Sequence, residues 1–208
     1  LLQARLTDGD SEVIIGLKSG KAIRFNESKT RAVGRTAMGV KGITLGNPDD
    51  EVIGMVCVND PESSILVVSS NGYGKRSAVD DYRITNRGGK GVKTLQITEK
   101  TGVLISILNV TNEHDLMIVN KSGITIRMAV EDLRVMGRAT QGVRLISLRG
   151  KDEIASVCRV PKAEEEEEGV EGEQSEGEQS EGEQSEGEQP EGEQPEGEQP
   201  EGEQPEES

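Results

Sequence analysis

Three apolar runs, each followed by a turn and a second short strand pattern, recur along the first part of the chain. The runs EVIIGL, SILVVS and DLMIVN precede the turn dipeptides Ser19-Gly20, Asn71-Gly72 and Ser122-Gly123. β-Branched and aliphatic residues in runs of this length, bounded by turn glycines, are typical of β-strands. Only the stretches AVDDYRI and AVEDLRV have the composition of a single helical turn. The pattern therefore predicts an all-β chain.

These features return with a period of 52 and then 51 residues. Each turn glycine is followed four residues later by an arginine and nineteen residues later by a Gly-Val pair, which begins at Gly39, Gly91 and Gly142. A period of about fifty residues in a β-rich chain indicates a radial array with one four-stranded unit per repeat. We therefore predict a propeller-like array of about three four-stranded blades, over residues 1–57, 58–109 and 110–161.

The two cysteines lie in the similar patterns IGMVCV and IASVCR. We interpret Cys57 and Cys158 as equivalent strand positions of the first and third repeats. Equivalent positions two blades apart do not touch, so small apolar fillers are expected rather than a disulfide. Two cysteines without a secretory signal also indicate a reducing compartment. His114 is the only histidine, and no metal site is expected around it.

Charge divides the chain at residue 162. All 24 Lys and Arg lie at or before Lys162 together with 18 of the 39 acidic residues, so this part carries +6 and residues 163–208 carry −21. The acidic part consists of five consecutive glutamates followed by Glu-Gly-Glu-Gln-Ser and Glu-Gly-Glu-Gln-Pro pentads, with Val170 as its only large apolar residue. This composition predicts a disordered acidic tail over residues 162–208.

Neither end of the chain predicts targeting to a membrane. No apolar run approaches the length of about 18 residues that a membrane span needs. The chain begins Leu-Leu without a methionine, which we interpret as a piece of a longer protein. No membrane partner is expected.

A basic loop pattern, Arg-x3-Arg-x3-Gly-Val-(Lys/Arg), occurs once in each repeat. With the arginine after each turn, four positions of the repeat are basic all three times, and two further lysines lie beside them in the second repeat. Cations at one position of every unit of a radial array would form a stripe along a rim, which is typical of proteins that bind nucleic-acid phosphates. The alternative is that each cation pairs with a carboxylate such as Asp81 or Asp132. The candidate residues are Arg24, Arg76, Arg127, Arg31, Arg83, Arg134, Arg35, Arg87, Arg138, Lys41, Lys93, Arg144, Lys75 and Lys90.

Aromatic residues are scarce, and this narrows the class of partner. Phe25, Tyr73 and Tyr82 are the only ones in the chain. Proteins that bind single strands stack bases on aromatic rings, and RNA-binding sheets also carry aromatic faces. The pattern therefore favours duplex DNA held through its phosphates. A protein-interaction propeller, which has a similar period, stays open as the alternative.

Three segments give the chain a family resemblance: RFNESKTRAVGRTAMGVKGITLG, SSNGYGKRSAVDDYRITNRGGKGV and MGRATQGVRLISL. Over nearly all of residues 1–161 they resemble the C-terminal domain of the gyrase A protein, part of a bacterial type II DNA topoisomerase. The resemblance implies a β-pinwheel, a propeller-like disc whose blades exchange strands, and duplex DNA wrapped around its basic rim so that the holoenzyme introduces negative supercoils. It further implies two protein partners, a gyrase B protein plus a second copy of gyrase A, in the bacterial cytoplasm at the nucleoid.

The chain departs from that family pattern in several ways. The family domain has six blades, and the three repeats here are similar to the last three. Residues 86–91 match its glycine-arginine box only in degenerate form. The family's catalytic tyrosine and ATP site lie in other regions, so no catalytic residue, metal or cofactor is expected in this chain, and ATP and Mg²⁺ would act elsewhere in the holoenzyme. Tyr73 and Tyr82 are expected to be structural. The equivalent domain of topoisomerase IV is a further alternative.

The acidic tail suggests a regulatory role. Its −21 charge is tethered to a body of charge +6, and a flexible tether gives an effective concentration of about millimolar. The tail would then compete with DNA for the basic rim.

Overall fold

The chain forms an all-β array, as the sequence predicts. The structure is a computed structural model that describes residues 1–60 and 62–162. The expectations for the acidic tail concern residues beyond Lys162, which lie outside the described part of the chain. Single turns of 3-10 helix span Glu27–Lys29 and Val79–Asp81. The second of these confirms the helical turn predicted in AVDDYRI, whereas AVEDLRV forms a hydrogen-bonded turn. The strands are β1 (Glu12–Leu17), β2 (Lys21–Asn26), β3 (Val52–Val58), β4 (Ser64–Ser69), β5 (Tyr73–Ala78), β6 (Val92–Lys93), β7 (Leu104–Val110), β8 (His114–Asn120), β9 (Thr125–Ala129), β10 (Val143–Arg144) and β11 (Ile154–Pro161).

The strands form three antiparallel sheets, one for each repeat. Their strand orders are β3-β1-β2-β6, β10-β5-β4-β7 and β11-β8-β9. The innermost strands meet one another, since β7 packs against both β3 and β11. Strands β6 and β10 lie at the opposite edges of their sheets and therefore mark the outer edge of the array.

Neighbouring blades exchange a strand. Strand β6 belongs to the second repeat but pairs with β2 of the first, and β10 of the third repeat pairs with β5 of the second. Two blades thus have four strands, and the third has three within residues 1–60 and 62–162. Val40 and Lys41, which correspond to β6 and β10, make no strand pairing in that part of the chain.

The glycines of the second and third Gly-Val pairs permit a close approach between the exchanged strand and the neighbouring blade. Gly91 and Gly142 have φ of +71° and +78°, which favours glycine. A Cβ on Gly91 would lie 2.6 Å from the Ala22 carbonyl oxygen, and one on Gly142 would lie 2.5 Å from that of Gly74. The close approach that these glycines permit is therefore to the neighbouring blade.

The core fills the spaces between blades. One cluster, which includes Ile14, Val67 and Leu95, joins the first two blades, and another, which includes Leu66 and Leu116, joins the second and third. Strand β4 lies in the middle blade and is buried along its whole length. A strand covered on both faces is expected to be a continuous apolar run, and SILVVS is one.

The pairing register corrects the interpretation of the cysteines. Val13 of β1 pairs with Cys57, and the equivalent residue of β8, Leu116, pairs with Arg159. Cys158 is therefore one position out of step with Cys57, because the strands align from Val52 and Ile154 rather than from the isoleucines of the two patterns. Both thiols are free.

Among residues 1–60 and 62–162 there is no helix with the length and apolarity needed to cross a bilayer.

Candidate nucleic-acid interface

Eight of the fourteen predicted cations lie exposed on the loops and strands of the outer edge. We call them the outer cations. Within the described part of the chain, none of the eight lies within ion-pair distance of a carboxylate. Their charge is therefore available to an external anion. They are Arg31, Arg35, Lys41, Arg83, Lys90, Lys93, Arg134 and Arg144.

In the second and third repeats, the second arginine of the basic loop ties that loop to the preceding blade. Arg87 donates from Nε to the Lys29 carbonyl at 2.9 Å and from Nη1 to the Lys41 carbonyl at 3.1 Å. Because a guanidinium has five N–H donors, this clamp leaves others facing solvent. Arg87 is half-buried, so it contributes both to blade docking and to the positive outer edge.

Arg138 repeats the clamp at the next junction. Its Nε donates to the Asp81 carbonyl at 2.9 Å and its Nη1 to the Lys93 carbonyl at 2.8 Å. Asp81 and Lys93 follow Lys29 and Lys41 by one repeat of 52 residues. The same contact is therefore made at both blade junctions of the described residues.

The arginine after each turn is bonded to neighbouring groups of the array instead of being free on its rim. Arg24 is 8% exposed, and it donates from Nε to Glu12 at 2.6 Å and from Nη1 to the Val79 and Tyr82 carbonyls. The exposed stripe expected from the sequence therefore does not include Arg24. The carboxylate alternative describes this position correctly, although the partner is Glu12 and not Asp81.

Arg127 is the counterpart of Arg24 in the third blade. Its Nε donates to Asp115 at 2.7 Å and its Nη2 to the Pro161 carbonyl. As for Arg24, the carboxylate lies on the neighbouring strand, two residues before the residue that pairs with the arginine across the ladder. The partner is therefore not Asp132. Arg127 is partly exposed, but its charge is already paired.

Arg76 has the same position in the second blade but lacks the carboxylate. The residue equivalent to Glu12 and Asp115 is Ser64, as the strand register shows. Arg76 is 9% exposed, its Nη1 donates to Asn112 Oδ1, and its buried Nε has no hydrogen-bond partner. A cavity of about 390 Å³ adjoins it. Arg76 is therefore also absent from the exposed stripe.

Lys75 is buried as well, at 1% exposed. Its Nζ donates to the Gly137 carbonyl at 2.6 Å and to Ser77 Oγ at 3.2 Å. Burial lowers the pKa of Lys75 from 10.5 to about 8. Isoleucine occupies the same place in the other repeats, at Ile23 and Ile126. Lys75 is therefore a core position and does not face the outer edge.

Tyr82 is part of the core. Its hydroxyl pairs with Thr94 Oγ1, and burial raises the pKa of Tyr82 to about 12.

Tyr73 has a cationic environment that sequence reasoning missed. Arg144 donates from Nε and Nη2 to the Tyr73 hydroxyl at 3.3 and 3.0 Å, and Lys100 Nζ lies 5.5 Å from the ring centroid. The hydrogen bond from Arg144 lowers the pKa of Tyr73. Lys100 and Lys151 line the adjoining cavity, and neither was found because neither position is basic in all three repeats.

Comparisons with known proteins agree with this architecture. The family model for the DNA gyrase C-terminal domain, a β-propeller, matches residues 18–59, 63–111 and 114–160. The gyrase A protein of Staphylococcus aureus strain NCTC 8325 / PS 47 is 50% identical over 176 residues, which is 84% of this chain and 20% of that protein. The chain thus spans about a fifth of the length of the curated relatives it matches.

Solved structures with the same architecture are also similar. A DNA gyrase A C-terminal domain superposes with a TM-score of 0.67 at 26% identity, over 74% of this chain and 52% of that one. The C-terminal domain of DNA topoisomerase IV superposes with a TM-score of 0.70 at 23% identity, over 76% of this chain and 49% of that one, which shows the fold alone. Three matched repeats and half-identical relatives place this chain in the family of DNA gyrase C-terminal β-propeller domains.

Proposed function

We propose that this chain binds the phosphate backbone of duplex DNA along its outer edge. The observation that carries the proposal is the set of eight outer cations, which have no carboxylate partners among the described residues. Arginine suits this role because its planar guanidinium binds a phosphate through two hydrogen bonds. The partly exposed clamp residues Arg87 and Arg138 add to the same edge.

Duplex DNA is favoured over single strands because the aromatic side chains are not available for stacking. Phe25, Tyr73 and Tyr82 are all buried. Binding without stacking depends on phosphate contacts, and successive blades arranged around an axis offer these contacts along a curved path. We infer that the DNA bends as it follows them.

The proposal for a larger assembly is supported by the relatives of this chain. The half-identical proteins are gyrase A proteins, and this chain spans about a fifth of their length. We propose that the chain is the DNA-wrapping part of such a protein, working with a second copy of gyrase A and with gyrase B in bacterial cytoplasm. Strand passage and ATP use, with its Mg²⁺, would belong to other regions, and this chain alone would catalyse nothing. The 50% identity favours gyrase over topoisomerase IV.

Salt dependence tests the DNA proposal. Log affinity for duplex DNA should fall linearly with log salt, with a slope of roughly −0.9 per phosphate neutralised. Arg83→Gln and Arg134→Gln should each reduce the slope by about one contact. The control is Lys18→Gln, which removes an exposed cation that is paired with Glu51. Fluorescence anisotropy with a labelled duplex measures the slope, and a flat salt dependence would favour a protein-interaction propeller instead.

A further inference from the structure

A cavity of about 490 Å³ lies at the start of β5, where the second blade receives strand β10. Tyr73 begins β5 and pairs across the ladder with Arg144 of β10. Lys100 and Lys151 line the cavity from two other turns. We call these four residues the Tyr73 pocket.

The hydroxyl of Tyr73 is arranged to donate a hydrogen bond. A phenolic oxygen has two acceptor sites and one O–H. Arg144 Nε and Nη2 supply donors to that oxygen, and Lys100 adds positive charge beside it. No described residue accepts a hydrogen bond from the Tyr73 hydroxyl, so its proton is available to an acceptor in the cavity.

The three cations of the pocket outnumber the two carboxylates that line the same cavity, Asp152 and Glu153. Asp152 accepts hydrogen bonds from Asn120 Nδ2 at 2.6 Å and from Ser122 Oγ at 2.7 Å, and it keeps its negative charge because both donors are neutral. Glu153 is paired with Lys121 at 2.5 Å. Arg144, Lys100 and Lys151 have no ion-pair partner among the described residues. An acceptor entering the cavity therefore meets three cations, one O–H donor and one carboxylate without a cationic partner, Asp152. The remaining excess of positive charge and the O–H donor favour an anion with several oxygens.

The pocket is a feature of the second blade alone. At the equivalent place in the first blade Lys21 faces Lys93 across the ladder, and in the third blade the position of Tyr73 is Ile124. Neither arrangement puts a hydroxyl between cations. The second blade is thus distinguished from the others by an oriented donor, whereas the exposed Arg31, Arg83 and Arg134 recur in all three repeats.

We propose that the Tyr73 pocket binds a phosphate group, with Tyr73 Oη donating to one oxygen while Arg144, Lys100 and Lys151 neutralise its charge. The phosphate comes from the DNA backbone or from a free phosphate compound. The first source rests on the proposed DNA binding, and the second does not.

Tyrosine absorbance provides a direct readout, because the chain has two tyrosines and no tryptophan. The pKa of Tyr82 is raised to about 12, so Tyr73 ionises first and Tyr73→Phe removes the first transition. A bound phosphate that accepts the Tyr73 proton stabilises the neutral phenol. Pyrophosphate should therefore move the first transition of the full chain to higher pH, relative to sodium chloride of the same ionic strength.

Calorimetry with pyrophosphate gives the contributions of single groups. Lys151→Gln should weaken binding about tenfold and Tyr73→Phe about three- to tenfold, as expected for hydrogen bonds to a charged group. Lys18→Gln serves as the matched control for one lost charge and should leave affinity unchanged. Thermal unfolding of each variant confirms that it is folded.

Comparing pyrophosphate with a short DNA duplex separates the two sources. A shift of the Tyr73 transition with pyrophosphate supports a binding site for free phosphate compounds. A shift with duplex alone supports a binding site for a phosphate of the DNA backbone. Binding of duplex without any shift from either ligand would overturn the pocket and leave the proposed function intact. A shift with pyrophosphate in a chain that does not bind duplex would support the pocket and overturn the proposed function.

Discussion

At the scale of single residues, the arginine after the turn has one environment in the first and third blades and another in the second. Arg24 and Arg127 each bond a carboxylate of the neighbouring strand, whereas Arg76 faces Ser64 and keeps an unpartnered Nε. A buried donor without a partner costs about 1–3 kcal/mol. The second blade therefore carries a polar defect that the other blades lack.

Restoring the missing carboxylate should stabilise the protein. Ser64→Glu places an acceptor as in the first blade, and the cavity of about 390 Å³ beside Ser64 gives it room. We expect the free energy of unfolding to rise by about 1–2 kcal/mol, measured by urea denaturation. Ser64→Gln is the neutral control and should give a smaller gain. A loss of stability in Ser64→Glu would mean that the Nε is already satisfied by solvent.

Burial of Lys75 leads to a prediction about how the free energy of unfolding depends on pH. The folded protein releases the Lys75 proton near pH 8, whereas the unfolded chain keeps it to about 10.5. Between these values the unfolded state binds more protons, so the contribution of Lys75 to the free energy of unfolding rises with pH. Lys75→Met should therefore stabilise the protein most below pH 8, and the gain should shrink towards pH 10.5.

Urea denaturation of both proteins at neutral and alkaline pH measures this difference. Lys90→Met removes a charge from an exposed lysine and is the control, with no pH-dependent gain expected. An equal gain for Lys75→Met at both pH values would contradict burial of a charged amine.

At the scale of elements, the two-residue strands β6 and β10 decide how blades join. Their own pairing is short, but Leu145 N–H also bonds the Gly72 carbonyl at 2.8 Å, and Arg138 clamps the loop before β10 to the second blade. The same loop thus carries the exposed Arg134 and the inward-facing Gly142. One segment therefore both docks neighbouring blades and carries exposed cations.

Gly142→Ala should weaken the exchange of β10. The new Cβ has an unfavourable positive φ and meets the Gly74 carbonyl at 2.5 Å. Gly39→Ala is the matched control, because Gly39 has φ of +81° and no atom of the described residues within 4 Å of its Cβ position. We expect Gly142→Ala to lower the free energy of unfolding by about 1–2 kcal/mol more than Gly39→Ala.

Amide hydrogen exchange of Leu145 should report the same loss locally. Exchange should become faster in Gly142→Ala and stay unchanged in Gly39→Ala. Equal destabilisation of the two variants would show that the positive φ alone requires glycine.

At the scale of the whole molecule, we expect the balance of charge to affect access of DNA to the outer edge. Residues 1–162 carry +6 and the full chain carries −15. Opposite charges on one chain attract over about a Debye length, which is about 10 Å at 0.1 M salt. Competition between the acidic residues and DNA is therefore expected to be strongest at low salt.

Removing residues 163–208 tests that competition. The shortened chain should bind duplex DNA more tightly than the full chain, and the gain should fall as salt is added. Anisotropy titrations of both chains at several salt concentrations give the comparison. Equal affinities at low salt would assign the acidic residues a role in solubility.

The sequence by itself determined the fold class and the outer loops. Turn glycines, apolar runs and a repeat of about fifty residues depend on local backbone and burial preferences, and the same preferences are present in each repeat. The Arg-x3-Arg-x3-Gly-Val pattern likewise identified the exposed Arg31, Arg83 and Arg134.

Only the tertiary structure decided which cations are free. Arg24 and Arg83 each stand at a position that is basic in all three repeats, so the sequence alone does not distinguish them. Arg24 is enclosed between blades beside Glu12, whereas Arg83 is exposed. The Tyr73 pocket is assembled from turns of two repeats and from an exchanged strand, so no single stretch of sequence contains it. Burial and charge pairing depend on residues far apart in the chain, and blade-to-blade contact brings those residues together.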